Sequence, residues 1–296
     1  MKNELPEELI RFDHQPLGEA LYFPHITNNE YHDSPGVSSS VIRNFMDSQL
    51  HALEEEVLQT SALKFGSAAH SLIVEGESAF NNDVACIVGS PYTQYNKDLK
   101  ADYESRGLTV ITQKEKDTIF AMKENLLGEA KILLHPADFE FPEIFTYPYE
   151  RAIYWWEDDI LLKVKADVVR CPTEPGFDKD TIIIVDYKTT QSCEPNAFAS
   201  SIKKYKYDLQ AAWYKRGFEK AGFKVAGFYF VAQEKKYPYA CKIFKMKASD
   251  MEEKWQVLEQ YLGEYKEVLN GKQPSVYNTP DIVEVDLKGE ESDEKT

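Results

Sequence analysis

The run Thr181-Ile182-Ile183-Ile184-Val185-Asp186-Tyr187-Lys188 decides how this chain is read. Branched side chains from 181 to 185 favour an extended strand. Side chains two apart in a strand share a face, so Asp186 and Lys188 point together and Tyr187 points away. Upstream, Leu161-Leu162-Lys163-Val164-Lys165-Ala166-Asp167-Val168-Val169 also reads as a strand. A Pro/Gly/Asp-rich turn, Cys171 to Asp180, separates the two. Asp167 and Asp186 therefore fall on adjacent strand segments. A buried strand meeting solvent at a charged end also produces Asp-x-Lys, so the neighbours must carry the argument.

Downstream, Tyr207, Gln210 and Tyr214 stand at i, i+3 and i+7, one face of a helix. That spacing fits an aromatic core stripe, but a glutamine in its middle suits a polar site. Lys203, Lys204 and Lys206 precede this face, placed either to meet phosphates or to solvate a helix start. Toward the N-terminus, Ser61 to Gly76 reads as one helix, with small residues Gly66, Ser67 and Ala69 for close packing and Gly76 as its stop. His70 lies four residues after Gly66 on the same face. Taken locally, it fits a histidine at the edge of a core.

The rest of the chain supplies a frame. Residues 1–36, punctuated by Pro16, Pro24, Pro35 and Gly36, read as an irregular arm. Ser38-Ser39-Ser40 caps a helix expected to run to about Leu58, with Val41, Ile42, Phe45, Met46, Leu50 and Leu53 as its apolar stripe. Residues 84–88 and 109–112 are short strands. The Tyr- and Lys-bearing Ser90 to Gly107 between them is expected to be a loop, compatible with facing nucleic acid or with plain surface. Helices are expected at 113–134, 196–221 and 249–269, and β structure at 143–156, 227–232 and 239–246. Asp158-Asp159 turns a hairpin into the Asp167 strand. The result is one mixed α/β domain over 37–275, after the arm and before an acidic tail, 276–296.

Composition sets limits. The chain has 296 residues, 43% hydrophobic and 28% charged, an ordinary globular balance. A net charge of −16 argues against a nucleic-acid coat protein but leaves room for an enzyme with a local basic groove. No apolar stretch approaches the ~18–20 residues that cross a bilayer. Met1 to Asp13 is charged and lacks the apolar core of a secretory leader, so the cytoplasm is the expected compartment. Cys86, Cys171, Cys193 and Cys241 lie far apart with no CxxC pair and read as reduced packing residues.

Cutting a phosphodiester requires an activated water, neutralised phosphate charge and a stabilised leaving oxygen, and one or two Mg²⁺ ions supply all three. Magnesium takes hard oxygen ligands. Asp167 and Asp186 would provide a carboxylate pair, with the backbone carbonyl of Tyr187 as a further ligand. Lys188, beside Asp186, would donate to the water or the phosphate.

The ordered set Gly66-x-x-x-His70, Asp167, Asp186-x-Lys188 and Gln210-x-x-x-Tyr214 resembles the RecB-like branch of the PD-(D/E)xK nucleases. Val185-Asp186-Tyr187-Lys188-Thr189-Thr190, followed by Tyr207-x-x-Gln210-x-x-x-Tyr214, is similar to the RecE-type (exodeoxyribonuclease VIII) group, as is Val37 to Arg43 ahead of Phe65-Gly66. The likeness covers most of residues 35 to 270. It implies a restriction-endonuclease-like core, a mixed central sheet flanked by helices with N-terminal helical additions. By position it implies a metal held by His70, Asp167, Asp186 and the Tyr187 carbonyl, with Lys188 catalytic and Gln210 and Tyr214 supporting the site or the DNA. The metal would be Mg²⁺, with Mn²⁺ as substitute. The implied activity is exonucleolytic digestion of linear double-stranded DNA, 5′ to 3′, leaving 3′ single-stranded tails. The implied partners are a RecT-like annealing protein and further copies of the chain, in a tetrameric ring. One departure is that the acidic residue two before the lysine is Asp186, where many relatives have Glu. The scattered cysteines do not match the iron–sulfur set of CRISPR-associated RecB-like nucleases. A structure-specific endonuclease on the same fold, or a non-catalytic DNA-binding protein, are the alternative readings.

Overall fold

The computed structural model describes residues 4–54, 60–135, 141–145, 149–172 and 176–277. The chain passes through α1 (Glu7–Ile10), β1 (Gln15–Leu17), β2 (Ala20–Phe23), α2 (Asn28–Asp33), α3 (Ser39–Asp47), α4 (Gln49–Glu54) and α5 (Ser61–His70). A π-helical turn (Ser71–Glu75), α6 (Glu77–Asp83), β3 (Val84–Ile87), α7 (Gln94–Ser105), β4 (Thr109–Thr112), α8 (Gln113–Glu124) and α9 (Gly128–Leu134) follow. Then come β5 (Tyr149–Glu157), β6 (Ile160–Arg170), β7 (Thr181–Thr190), α10 (Pro195–Lys204), α11 (Tyr207–Lys220), β8 (Lys224–Glu234), β9 (Cys241–Lys245) and α12 (Ala248–Leu269).

Among the described residues, seven strands form one sheet in the order β1-β2-β5-β6-β7-β8-β9. Only the β7–β8 pair in it is parallel, and α10 and α11 make that crossover. The run at the head of β7 is buried on both faces, which explains why it is continuously apolar. Ile182 and Ile184 join the layer of α3, α10, α11 and α12, while Ile183 and Val185 join α5, the π turn, α8 and α9. The architecture is thus helices on both faces of a mixed, mostly antiparallel sheet, the class expected. The expected β5–β6 hairpin forms, with Asp158 in its turn at φ 52°.

Several expectations change. The arm expected over 1–36 is not irregular over its described residues, 4–36: β1 and β2 extend the sheet, with Ala20 opposite Trp155 and Phe23 opposite Ala152. Lys163 pins the arm down, donating to the carbonyls of Tyr31 and Ser34 at 2.6 Å each. Pro16 lies within β1 and Pro24 directly follows β2, and these prolines make strands of three and four residues read as irregular chain. The helix from Ser38 breaks at Ser48, whose backbone is extended, and its expected end at 55–59 lies outside the described residues. The loop expected at Ser90 to Gly107 contains α7, capped by Thr93; it buries little beyond Asn96, so it lacks the apolar stripe that marks a helix. The helix expected at 113–134 divides at Gly128 (φ 59°), and that at 196–221 at Lys206 (φ 53°). The acidic tail from residue 278 lies outside the described residues. No described helix is long and apolar enough to cross a membrane.

Candidate active site

The site occupies a notch where β6 and β7 part. Their pairing extends from Arg170–Ile183 only to Val168–Val185, after which β7 stays on β8 and β6 stays on β5. Ala166 and Val169 pack on one side of the sheet and Val168 on the other, so strand alternation breaks at Asp167. The Asp167 carboxylate bridges the notch, with Oδ2 accepting the Tyr187 N–H at 2.9 Å.

Asp186 is fully buried. Its Oδ1 accepts from Gln210 Nε2 at 2.8 Å, and its Oδ2 lies 2.7 Å from Lys188 Nζ without hydrogen-bond alignment. Lys188 Nζ sits 4.9 Å from the centre of the Tyr207 ring, a cation–π contact. The Tyr214 hydroxyl interacts with Gln210 on the preceding turn of α11. Tyr187 turns to the opposite face, as period two requires, and its hydroxyl donates to Gln233 Oε1 at 2.8 Å.

From the other layer comes His70, the last residue of α5. Its Nε2 lies 3.2 Å from Asp167 Oδ2 and 3.5 Å from Glu150 Oε1, but neither contact is aligned as a hydrogen bond. Its Nδ1 is 3.3 Å from Glu75 Oε1. Glu75 reaches it because the chain widens into the π turn, a feature often found at functional sites. The register that pairs Tyr149 with Val168 and Arg151 with Ala166 sets Glu150 across from Asp167. Glu150 has left-handed backbone (φ 54°), uncommon and costly away from glycine. Its second oxygen takes Lys165 Nζ at 2.9 Å, and Lys165 also donates to Asn28 Oδ1 at 2.6 Å.

Burial and charge compete throughout. Burial raises the Asp186 carboxyl against the pull of Lys188, leaving it at about 6. Burial also pushes Asp167 up, but His70, Lys188 and the Tyr187 N–H prevail and hold it below the usual carboxylate range. Burial would lower His70, yet Asp167 and the bond to Glu75 hold it well above its ordinary value. Lys188, lowered by burial, ends up raised by Asp186 and Asp167.

This donor set fits a hard divalent cation. His70 Nε2 and Asp186 Oδ2 are buried polar atoms without a hydrogen-bond partner, and both belong to the expected ligand set with Asp167 and the Tyr187 carbonyl. His70, Glu75 and Glu150 add a cluster whose donor atoms lie within 4.8 Å of one another. Glu75, Glu150 and Arg43 escaped the sequence reading. Glu75 is five residues from His70, a spacing that a regular α-helix does not bring onto one face. Arg43, on α3, interacts with Asp186, Tyr207 and Tyr214 while Nη1 donates to the Tyr205 carbonyl at 2.9 Å. Of the three lysines ahead of α11, Lys206 is committed elsewhere: it binds the Arg43 carbonyl at 3.1 Å and pairs with Asp47.

With that arrangement in view, residues 38–280 match the profile of the PDDEXK-like domain of unknown function (DUF3799). This chain belongs to that family. A similar fold is found in a protein of Eubacterium rectale provisionally named an exonuclease, at 15% identity and a TM-score of 0.59 over 87% of this chain and 91% of that one. A second solved structure, Scheffersomyces stipitis Rai1 with (3′-NADP)⁺ and calcium ion, reaches a TM-score of 0.29 at 11% identity, over 60% of this chain and 49% of that one, too distant to inform this PDDEXK-like domain. No curated protein matches the sequence.

Proposed function

We propose that this PDDEXK-like protein is a divalent-metal-dependent nuclease that digests linear double-stranded DNA from its ends, 5′ to 3′, leaving 3′ tails for recombination. The observation that carries this reading is the single notch that holds Asp167, Asp186, Lys188 and His70, drawn from three separate elements. The name of the Eubacterium rectale neighbour supports an end-directed activity. His70, Asp167, Asp186 and the Tyr187 carbonyl would hold a Mg²⁺ or Mn²⁺ ion, which when bound would supply water activation and charge neutralisation. The chain's own residues do the rest. Lys188, fixed between Asp186 and the Tyr207 ring, offers its ammonium to a phosphate oxygen or the attacking water. Gln210 holds the Asp186 carboxylate in one orientation. Arg43 is a second cation facing the same carboxylate.

Handing the 3′ single strands to a RecT-like annealing protein, and closing into a ring that keeps the DNA captive, are parts of the same proposal. The deciding assay is digestion of end-labelled linear duplex with Mg²⁺ or Mn²⁺, beside covalently closed circles. Loss of linear DNA with circles spared supports the reading. Cutting of circles would make the protein an endonuclease instead, and sedimentation as a monomer at working concentration would remove the ring.

A further inference from the structure

The β8–β9 hairpin stands at the same end of the sheet as the notch. Parallel pairing of β7 with β8 sets Lys188 beside Ala232 and Thr190 beside Glu234. Lys235 continues that line, its N–H donating to the Thr190 carbonyl at 3.3 Å. At about 3.3 Å per strand residue, Lys235 is roughly 10 Å along the sheet from the level of Lys188. That is a spacing of one to two nucleotides along an extended strand.

Three properties set this tip apart. Tyr237 is 84% exposed, a large ring held in solvent at the end of a tight connection. Lys235 and Lys236 have no carboxylate partner among the described residues, in a chain whose net charge is −16. The base of the tip is also rigid. Gln233, fully buried, accepts from the Tyr187 hydroxyl and donates to the carbonyls of Met122 at 2.8 Å and Tyr239 at 3.3 Å. One side chain thus ties the hairpin to the residue between Asp186 and Lys188. On its other flank, Lys235 Nζ lies 5.7 Å from the ring of Phe65, five residues before His70 on α5.

Exposed aromatics beside unpaired lysines on a fixed support are what a single-stranded nucleic acid recognises, through base stacking and phosphate contacts. We propose that the tip of this hairpin grips the nucleic-acid strand next to the scissile phosphate, with Lys235 and Lys236 on phosphates and Tyr237 stacked on an unpaired base. This rests on the nuclease reading above and adds a substrate subsite to it.

The test compares the full-length protein with Lys235→Ala/Lys236→Ala, Tyr237→Ala and Tyr237→Phe on a labelled duplex with a single-stranded overhang in Mn²⁺. The double lysine variant should raise KM about tenfold with kcat unchanged. It should also flatten the salt dependence by about 1.4 in log–log slope, for two phosphates on a single strand. Tyr237→Ala should raise KM similarly, while Tyr237→Phe should behave as the parent, because stacking needs the ring and not the hydroxyl. Parent-like KM and salt slope in the Ala variants would overturn the proposal. So would an altered sedimentation coefficient with KM unchanged, which would make the tip a subunit contact. A parent protein that cuts no DNA in Mn²⁺ would instead sink the nuclease reading itself.

Discussion

Asp186 shares its two oxygens between an amide and an ammonium while shielded from water, and that environment sets how the site responds to protons. Its carboxyl titrates at about 6, and His70 keeps its proton to higher pH than a free histidine. Both groups must be deprotonated to act as ligands. Acid therefore opposes metal binding: affinity for Mn²⁺ should fall as pH drops, first through the raised His70 midpoint and again through about 6 for Asp186, by about tenfold per pH unit for each proton displaced. Titration calorimetry across this range checks it, and a flat affinity would contradict the assigned ligands. Asp186→Asn and Lys188→Ala should each lower the rate of DNA digestion, by roughly 10²-fold or more. Only Asp186→Asn should also weaken Mn²⁺ binding, since Lys188 is not a ligand. Glu150 contributes negative charge next to His70. Glu150→Gln keeps an acceptor for Lys165 and should lower the His70 titration midpoint, followed by NMR.

At the scale of elements, α11 carries Gln210 to the site only because it packs tightly on β5 and β6. A Cβ at Gly217 would sit 2.8 Å from both Trp155 Cζ3 and Val164 Cγ1, two buried side chains with no room to retreat. Gly217→Ala should therefore cost about 1–3 kcal/mol, seen as a lower thermal midpoint. If the midpoint holds, α11 is free to move and does not position Gln210. The π turn does similar work on the opposite face. It ends at Gly76, whose φ of 98° suits glycine. Its i-to-i+5 geometry gives His70 the Glu75 carboxylate.

For the molecule as a whole, the N-terminal arm belongs to the fold. β2 covers the edge of β5, and Leu9, Phe23, Ile26 and Tyr31 form a core with Ala152, Tyr154 and Leu161. A chain starting at Val37 would expose that edge and strip Lys163, itself depressed by burial to about 8, of its carbonyl acceptors. Such a protein should aggregate or unfold at markedly lower temperature than the full chain, as calorimetry would register. An unchanged midpoint would show the arm to be dispensable. On the proposed function, a chain of net charge −16 would approach DNA through divalent cations that offset the carboxylates in the notch, with Lys235 and Lys236 as further positive charge at the same end of the sheet.

What the residues determined alone was local and periodic. Period two put Asp186 and Lys188 together and Tyr187 away, and the i, i+3, i+7 spacing aligned Tyr207, Gln210 and Tyr214. Apolar runs over 161–169 and 181–185 marked the central strands. Only the tertiary structure decided where β6 and β7 separate, and so where Asp167 leaves the ladder. It likewise decided that Glu150 faces His70, and that two short early strands close the sheet. These depend on register and on contacts between residues far apart in the chain. A local pattern cannot encode them, because each is selected by what the whole core can bury together.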